Sequence, residues 1–561
     1  MRTSKRRRRV WMAAAATFAV APAGATACGH AASNTAPGGA SDSGALDSTS
    51  SDARLTPDAP SVDGSSSGAV DSSAAGDAEG SDAGADADAG PAPSQNPCLP
   101  FVMPPASALF ASPRRVFAHY FYPFPLSIDD QPSATDYYET QYLEPGGENG
   151  KWTAQGGYLR QRPLSVDAGP ASTWTTDDVE KEVRMAIAAG ITGFTVDVLS
   201  TTAAQAGGQV QTLLTAASAT DARFKIVAMP DLAALGADAS AVESILAAVA
   251  SAPASYHLPD GRLVASAFEA EVGSVAFWQG VLSDLAASGI QVAFVPTFLD
   301  ASHAPAFAPI TYGYGNWGTM TPAGESGQQA GPGEAHDAGQ LYMMPVGSQQ
   351  YRPKDFLFWE AGNSLAFRSG WTSATSGGSD WVQIVTWSDF SESGEIEPYT
   401  DRSLAGDIGT GFYSLNAYYA SWFLTGQAPA ITEDVLYYFY RREPAGAAAP
   451  EQSKPTTVAA GGGQAQDQIE LLGFLTAPGT LTVTIGGQSF TKSAAAGITS
   501  FTVPLQPGTP TFALQRGGAQ VLSFTGGVPI VGDGGLDSGT LDLTYWSGSA
   551  SPSGSCVLRV P

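Results

Sequence analysis

Four carboxylate residues follow one hydrophobic run in the second half of the chain. The run spans residues 382–388 and is rich in β-branched and aromatic residues, which is typical of a buried strand. Asp389, Glu392, Glu395 and Glu397 come directly after it. Carboxyl groups that flank a substrate can serve as general acid and general base. An acidic, solvated loop would give the same local pattern, so the surrounding elements have to discriminate between the two.

Residues 113–444 alternate between strand-like and helix-like segments. Amphipathic patterns predict helices between many of the strands, for example over 175–189 and 274–288. Eight strands that alternate with helices indicate an α/β fold, a (β/α)8 TIM barrel, which we place at residues 98–444. The predicted strands span residues 115–121, 192–198, 224–229, 262–268, 291–297, 309–314, 341–346 and 382–388.

Polar and aromatic residues cluster where these predicted strands end. In such a barrel the carboxyl ends of the strands surround the active-site mouth, so the side chains there are predicted to line one cleft. The mixture suits a sugar, because aromatic rings pack on its C–H faces and carboxylates bind its hydroxyls. Each residue could instead be a helix cap or a core residue. The substrate-binding candidates are His119, Tyr120, Asp197, Asp231, Glu269, Trp317, Tyr351 and Trp387.

Composition excludes several functional classes. The formal net charge of −26 argues against nucleic acid as a partner. The three cysteines and five histidines show no spacing typical of metal ligands, so no metal site is predicted. The chain also lacks the GxSxG, GxxxxGK and GxGxxG motifs, and we predict no cofactor.

The N-terminal 28 residues have the pattern of an export signal. A run of basic residues precedes an apolar segment that is too short to form a stable membrane-spanning helix. The segment ends in Ala25-Thr26-Ala27-Cys28, which fits either a lipoprotein signal with Cys28 acylated or an ordinary A-x-A cleavage site. We therefore expect an exported protein that is either a cell-surface lipoprotein or extracellular.

A low-complexity segment follows the signal. Residues 29–97 consist mainly of Ser, Ala, Gly, Asp and Pro, and such a segment cannot bury enough apolar surface to fold. We predict a disordered linker there. Cys98 and Cys556 bracket the remainder of the chain, and in an exported protein they are expected to form a disulfide, although two free buried thiols remain the alternative.

The C-terminal region changes character after residue 444. Residues 445–455 are predicted to be a linker, and residues 456–561 contain short strands separated by Gly- and Pro-rich turns. This pattern predicts an all-β sandwich domain. No aromatic stripe is evident, so a structural role against the barrel is favoured over carbohydrate binding.

Six segments in series resemble glycoside hydrolase family 71, the fungal α-1,3-glucanases or mutanases. The resemblance extends in order over about residues 113–535, and its WSDFSES segment is similar to the family motif that carries the catalytic carboxylates. The segments are VFAH at 116–119, AGITGF at 189–194, VASAFE at 264–269, YMMPV at 342–346, WSDFSES at 387–393, and ITED with YYFYRR at 431–434 and 437–442.

This resemblance implies an inverting endo-hydrolase of α-1,3-glucan in which Asp389 and Glu392 are the catalytic pair. Inversion requires one carboxylic acid to protonate the leaving oxygen and one carboxylate to activate water from the opposite face. We assign Glu392 as the acid and Asp389 as the base, with the reverse assignment open. In the alternative, this pair only binds sugar hydroxyls and the true acid is Asp197 or Asp231.

Some positions depart from the family pattern. Thr192 and Ser388 replace an Asp and an Asn, and Gly394 replaces a His. These changes leave the glycosidic linkage open, so a hydrolase of α-mannan or another α-linkage is a second possibility. A non-catalytic surface glycan-binding protein is a third. The partner in every case is a polysaccharide, and we expect a monomer.

Overall fold

The computed structural model describes most of the chain from residue 99 onward. The described residues are 99–121, 128–129, 131, 146–157, 161–164, 166–202, 208–400, 409–532, 541–556 and 558. The predicted signal (1–28), the predicted linker (29–97), Cys28 and Cys98 lie outside these ranges. The export signal, the lipidation of Cys28 and the Cys98–Cys556 disulfide therefore stay predictions.

Each of the eight segments predicted as strands overlaps an observed strand. The fifth is split in two, and four further short strands lie elsewhere. The first thirteen strands are β1 (Arg115–Tyr120), β2 (Arg162–Pro163), β3 (Gly193–Val198), β4 (Lys225–Pro230), β5 (Leu263–Ala265), β6 (Val292–Phe294), β7 (Thr297–Phe298), β8 (Gly313–Asn316), β9 (Leu341–Gly347), β10 (Gln350–Arg352), β11 (Leu357–Trp359), β12 (Trp381–Val385) and β13 (Tyr399–Thr400).

Seven of these strands form one parallel sheet. Their order is β4-β3-β1-β12-β9-β8-β7, and all six pairings are parallel. β5 and β6 pair with each other instead. Phe268 forms parallel bridges with Asp231, next to one edge strand, and with Thr297 of the opposite edge strand. The sheet is therefore curled, with both of its edges linked through one residue.

Side chains on these strands alternate between the inside of the curled sheet and the helices outside it. In β1, Ala118 and Tyr120 belong to the large hydrophobic cluster between sheet and helices. Phe117 belongs to a separate inner cluster. His119 shares the inward direction of Phe117 and lies nearer the carboxyl end of the strand. The alternation therefore separates two adjacent candidates, His119 and Tyr120.

Helices pack on the outer face of the sheet. Those predicted over 175–189 and 274–288 are confirmed as α3 and α7, and the latter is capped by the side chain of Ser274, which accepts from the N–H of Phe277 at 3.1 Å. The helices are α1 (Ala106–Phe110), α2 (Gly147–Gly150), α3 (Trp174–Ala188), α4 (Val210–Thr220), α5 (Leu232–Leu235), α6 (Ala239–Val249), α7 (Val275–Ala287), α8 (Ala304–Phe307), α9 (Pro322–Gly327), α10 (Gly331–Asp337), α11 (Leu365–Gly377) and α12 (Thr410–Thr425). Within the described ranges, none of them has the length and apolar character needed to cross a bilayer.

Two antiparallel sheets make up the C-terminal region. One has five strands in the order β19-β16-β14-β22-β23 and the other has four in the order β18-β17-β20-β21. Side chains from both sheets share one hydrophobic cluster. The strands are β14 (Val435–Arg441), β15 (Thr457–Val458), β16 (Gln468–Leu475), β17 (Gly479–Ile485), β18 (Gln488–Ala494), β19 (Gly497–Pro504), β20 (Thr511–Arg516), β21 (Ala519–Thr525), β22 (Tyr545–Ser551) and β23 (Gly554–Ser555).

The central strand of the five-stranded sheet precedes the predicted linker. β14 pairs with β16 on one side and with β22 on the other. It lies before residues 445–455, in the part of the chain that we assigned to the barrel. β15 lies just after the predicted linker, in the part assigned to the C-terminal domain, and pairs with β11. The two parts of the chain therefore exchange elements across the predicted boundary.

A buried ion pair joins these two parts. Glu360 follows β11 and contacts Arg441 of β14 at 2.9 Å, and both side chains are only 2% exposed. Glu360 also accepts from the hydroxyl of Tyr545 and from the N–H of Gln466 at 2.8 Å. A buried charge needs a counter-charge, so the loss of either Glu360 or Arg441 is expected to destabilise the contact between the two parts.

We predict that Glu360→Ala destabilises the protein by about 3–5 kcal/mol, because it leaves the Arg441 guanidinium buried without its carboxylate. Urea unfolding followed by tryptophan fluorescence measures the change. Glu180→Ala is the control: it breaks a partly exposed helical pair with Arg184 at 3.3 Å and should cost about 0.3–0.5 kcal/mol. Equal losses in the two variants would contradict the structural role of Glu360.

Candidate active site

The loop after β12 turns back on its own strand. Thr386 donates its N–H to the carbonyl of Gly394 at 2.8 Å, and Ile396 donates to the carbonyl of Thr386 at 3.0 Å. At the start of the loop, Trp387 donates to the carbonyl of His119 in β1 at 2.7 Å. Residues 388–394 are therefore held at the carboxyl end of the sheet, where the sequence predicted the catalytic pair.

Asp389 and Glu392 lie on this turn, with 3% and 2% of their surface exposed. Asp389 Oδ1 accepts from the N–H of Ser391 at 3.1 Å and from its hydroxyl at 2.6 Å. Burial, together with the nearby charge of Glu392, raises the pKa of Asp389 to about 7 against the opposing effects of Ser391, Lys354 and Arg352. The carboxyl of Asp389 can therefore carry a proton near neutral pH.

Three side chains from a neighbouring hairpin surround Glu392. Arg352 Nε lies 3.1 Å from Glu392 Oε1, and Lys354 Nζ lies 3.4 Å from the same oxygen. Gln350 Nε2 donates to Glu392 Oε2 at 2.7 Å. We call Gln350, Arg352 and Lys354 the clamp. Cations at this distance favour the ionised form of a carboxyl, so the clamp gives Glu392 the opposite environment to that of Asp389.

A second group of carboxyls lies on the inner face, beside the turn. Burial raises the pKa of Asp197 well above its usual value, and the charges of Asp231 and Asp389 add to this effect. Burial also raises the pKa of Asp231 to about 6. Asp231 caps α5 by accepting from the N–H of Ala234 at 3.0 Å. Asp231 and Asp389 are thus close enough to Asp197 for their charges to affect its pKa.

His119 and Trp317 complete the cluster. His119 Nε2 lies 3.7 Å from Asp197 Oδ2, and its ring meets Trp317 edge to face with centroids 4.7 Å apart. Burial lowers the pKa of His119 to about 3, against the opposing effect of Glu392, so the ring is neutral. Trp317 is 2% exposed and also contacts Phe268 at 4.9 Å. Trp317 is therefore part of a packed wall here, as well as a candidate sugar contact.

The space between these residues is small. In the part of the chain that the structure describes, Trp317, Gln350, Asp389 and Glu392 are among the residues that line a cavity of about 10 Å³. That is room for about one water molecule. The sequence predicted a cleft of sugar size, and the structure differs because aromatic and clamp side chains pack against the carboxylates.

Three predicted substrate-binding residues are not brought into this cluster. Tyr120 and Trp387 lie against α3, where Trp387 Nε1 donates to Glu182 Oε2 at 3.2 Å. Tyr120 faces the helices because it alternates with His119 along β1. Tyr351 packs towards the C-terminal region and donates its hydroxyl to the carbonyl of Leu541 at 2.5 Å.

Glu269 lies at the edge of the cluster. It is half-buried and adopts a left-handed backbone conformation, with φ at 50°. Burial raises its pKa to about 7, and the charges of Glu271 and Asp231 contribute. Glu271, its neighbour, instead serves the backbone by accepting from the N–H groups of Leu299 and Asp300 at 2.8 Å.

Further carboxyls are buried behind the turn. Glu395 and Glu397 are fully buried, and neither carboxyl has a hydrogen-bond partner within the described residues. Burial raises the pKa of both well above the usual value, with added repulsion from Asp389 on Glu395 and from Glu182 on Glu397. Burial also raises the pKa of Glu182 to about 8. These three groups are therefore neutral at moderate pH.

The C-terminal region supports the turn directly. The N–H of Tyr545 donates to Gln349 Oε1 at 2.7 Å, and the hydroxyl of Thr544 donates to that of Ser393 at 3.2 Å. On the other side, Gln161 Nε2 donates to Asp542 Oδ2 at 2.9 Å. These contacts fit the structural role that we favoured for the C-terminal region.

The model of glycosyl hydrolase family 71 matches residues 168–557, which is more than half of the chain. The chain belongs to glycosyl hydrolase family 71. The resemblance described from the sequence is thereby confirmed, and so is the assignment of this protein as a glycoside hydrolase.

Two curated proteins are similar to this family 71 chain. Glucan endo-1,3-alpha-glucosidase agn1 of Schizosaccharomyces pombe is 25% identical over 381 residues, which cover 64% of this chain and 88% of the relative. Mutanase Pc12g07500 of Penicillium rubens is 26% identical over 209 residues, covering 34% of this chain and 45% of the relative.

Among solved structures, the GH99 endo-alpha-mannosidase from Bacteroides thetaiotaomicron aligns with a TM-score of 0.41 and 13% identity. The alignment covers 55% of this family 71 chain and 97% of that protein. At this TM-score the similarity carries no argument.

Sequence reasoning missed the clamp and the C-terminal contacts. The chain has 27 basic residues against 53 acidic ones, so two cations within three residues after a predicted strand were an available signal for Arg352 and Lys354. No comparable signal marks residues 541–545. Within the described residues, no group of three His, Cys, Asp or Glu side chains is arranged to hold a metal ion.

We predict that Glu182→Gln makes stability less dependent on pH. The pKa of Glu182 is raised from 4.5 to about 8 on folding, so between these values the folded state binds more protons than the unfolded state. Stability therefore falls as pH rises through this window, by up to about 1.4 kcal/mol per pH unit for one group. Melting temperatures at pH values across the window measure the slope.

In this experiment, Glu334→Gln, at an exposed helical position, is the control and should leave the slope unchanged. A wild-type slope retained in Glu182→Gln would show that the carboxyl of Glu182 is not held neutral by its surroundings.

Proposed function

We propose that this family 71 chain is an endo-1,3-α-glucanase that hydrolyses its substrate with inversion, using Asp389 and Glu392 as the acid/base pair. The names of the two curated relatives support the substrate class. One observation favours this pair over Asp197 and Asp231. Asp389 and Glu392 are two nearly buried carboxyls on one turn at the carboxyl end of a parallel strand, and their surroundings favour opposite protonation states.

We also propose a complete barrel followed by a β-sandwich as the architecture of the chain. The curled parallel sheet, linked at both edges through Phe268, together with β5 and β6 supports a complete (β/α)8 barrel. The two antiparallel sheets that share a hydrophobic cluster support a C-terminal β-sandwich.

The surroundings of the pair favour a different division of roles from the one that we assigned on the sequence. Glu392 has two cations beside it and is favoured as the ionised base, whereas Asp389 is favoured as the protonated acid. In this division, Asp389 transfers its proton to the glycosidic oxygen as the bond breaks. Glu392 removes a proton from the water that attacks the anomeric carbon.

Substrate binding must enlarge the space between these groups. The cavity beside Asp389 and Glu392 holds about one water molecule, which is enough for the attacking water and too little for a sugar ring. We infer that the Trp317 side chain moves when a glucan chain binds and then presents its ring to the sugar.

We also infer an exported protein, tethered at the cell surface or released, that acts as a monomer. This part of the proposal rests on the sequence alone, on the signal-like residues 1–28 and the low-complexity residues 29–97.

We predict that Asp389→Asn and Glu392→Gln each lower the hydrolysis of insoluble α-1,3-glucan by about 10²–10⁴-fold, because each removes one proton-transfer group. Release of reducing ends measures the activity, with dextran and α-mannan as alternative substrates. The exposed Glu334→Gln variant should match the wild type. Near-normal turnover in either active-site variant would remove that residue from the mechanism, and activity on α-mannan alone would overturn the substrate class.

A fluoride substrate separates the two roles. Fluoride leaves without protonation, so a variant that lacks only the acid can still hydrolyse an α-1,3-linked gluco-oligosaccharyl fluoride. We expect Asp389→Asn to retain most fluoride hydrolysis while losing glucan hydrolysis, and Glu392→Gln to lose both. The reverse result would restore the assignment that we made from the sequence.

A further inference from the structure

We propose that Lys354 is a positioning residue for the glycosidase reaction, which holds Glu392 ionised and sets the pH range over which it removes a proton from water. This inference rests on the proposed function and adds a residue that acts through Glu392. Its amine lies 3.4 Å from Glu392 Oε1, on the same oxygen that faces Arg352 Nε at 3.1 Å.

Lys354 and Arg352 are not equivalent in this clamp. Arg352 also contacts Asp355, with Nη2 2.6 Å from Oδ2, so its charge is shared between two carboxylates. Lys354 also lowers the pKa of Asp389 more than Arg352 does. Its charge therefore affects both members of the proposed pair.

The backbone that carries Lys354 has anchors outside the catalytic turn, in addition to the hydrogen bond that the N–H of Tyr351 donates to the carbonyl of Glu392 at 2.8 Å. Residues Pro353–Asp355 form one turn of 3₁₀ helix between β10 and β11. Gln155 Nε2 donates to the carbonyl of Lys354 at 3.1 Å, and the N–H of Thr457 donates to the carbonyl of Phe356 at 2.9 Å. Because these anchors lie outside residues 388–394, the position of the Lys354 backbone does not depend on the catalytic turn alone.

Other titratable groups also lie close to Glu392. His119, on β1, is neutral, and Asp389 on the same turn is a carboxyl with Asp197 and Asp231 next to it. Asp355 reduces the effect of Arg352 from within the hairpin. Without Lys354, the balance of charge around Glu392 would move towards repulsion between carboxylates, and Glu392 would take up a proton at higher pH.

The test compares Lys354→Met with Lys354→Arg. We expect Lys354→Met to move the acidic limb of kcat/KM on a soluble α-1,3-linked gluco-oligosaccharide upwards by about 1 pH unit or more, since a cation within 4–6 Å typically lowers a carboxyl pKa by about 1–3 units. The alkaline limb should follow in the same direction, because Lys354 also affects Asp389. Lys354→Arg keeps the charge and should retain the wild-type profile.

Lys454→Met is the matched control. Lys454 is an exposed lysine that lies over the ring of Phe356 at 4.8 Å, beside the same turn. The variant removes a positive charge beside the hairpin, and this charge does not contact Glu392. The pH profile of kcat/KM should therefore not move. A uniform drop in kcat/KM at every pH for Lys354→Met, with both limbs unmoved, would overturn the proposal and leave Lys354 with a structural role only.

A second measurement does not require turnover. In Lys354→Met, Glu392 should bind a proton more tightly in the folded state, so the deficit in melting temperature relative to wild type should grow from about pH 4 to about pH 7. A deficit in melting temperature that is the same at every pH would overturn the proposal that Lys354 holds Glu392 ionised. The wild-type protein could hydrolyse no α-glucan while the melting-temperature deficit of Lys354→Met still grows with pH. In that case the proposed function fails, but the effect of Lys354 on the ionisation of Glu392 stands.

Discussion

The structure depends on carboxyl groups that are taken out of water at the end of one strand. Burial disfavours a charged carboxyl, and it also makes the charge of each group depend on whatever polar group lies within a few ångströms. Asp389 has hydroxyl and N–H donors and a raised pKa, whereas Glu392 has two cations. One turn thus places two carboxyl groups in opposite electrostatic surroundings, which is the arrangement that the proposed acid/base pair needs.

This asymmetry is supplied from outside the turn. The hairpin Gln350–Trp359 brings the cations, and residues 541–545 support the neighbouring backbone through Gln349 and Ser393. Glu395 and Glu397 lie behind with no partner in the described part of the chain. Burying them costs stability, so the packing around them must offset that cost elsewhere. The Glu360–Arg441 pair and the large core between sheet and helices are two places where it does.

Local patterns in the sequence were enough to predict the strands, most helices and the position of Asp389 and Glu392. The hydrophobic residues of β12 and the acids that follow it are contiguous in the sequence, so one local pattern marks both. The inward direction of His119 and the outward direction of Tyr120 were also readable from strand alternation, which our candidate set did not use. The contact between Lys354 and Glu392 joins separate loops, and Tyr545 reaches Gln349 across 196 residues. Such contacts, and the width of the cavity, follow from tertiary packing and leave no local pattern.

The place of β14 has a consequence for modularity. This strand is the middle member of the five-stranded sheet, yet it is encoded directly after the last helix of the α/β part and before the segment that resembles a linker. A cut between residues 445 and 455 would strip the sheet of its centre and expose the edges of β16 and β22. The two halves therefore cannot be exchanged, shuffled or produced as separate units at that boundary.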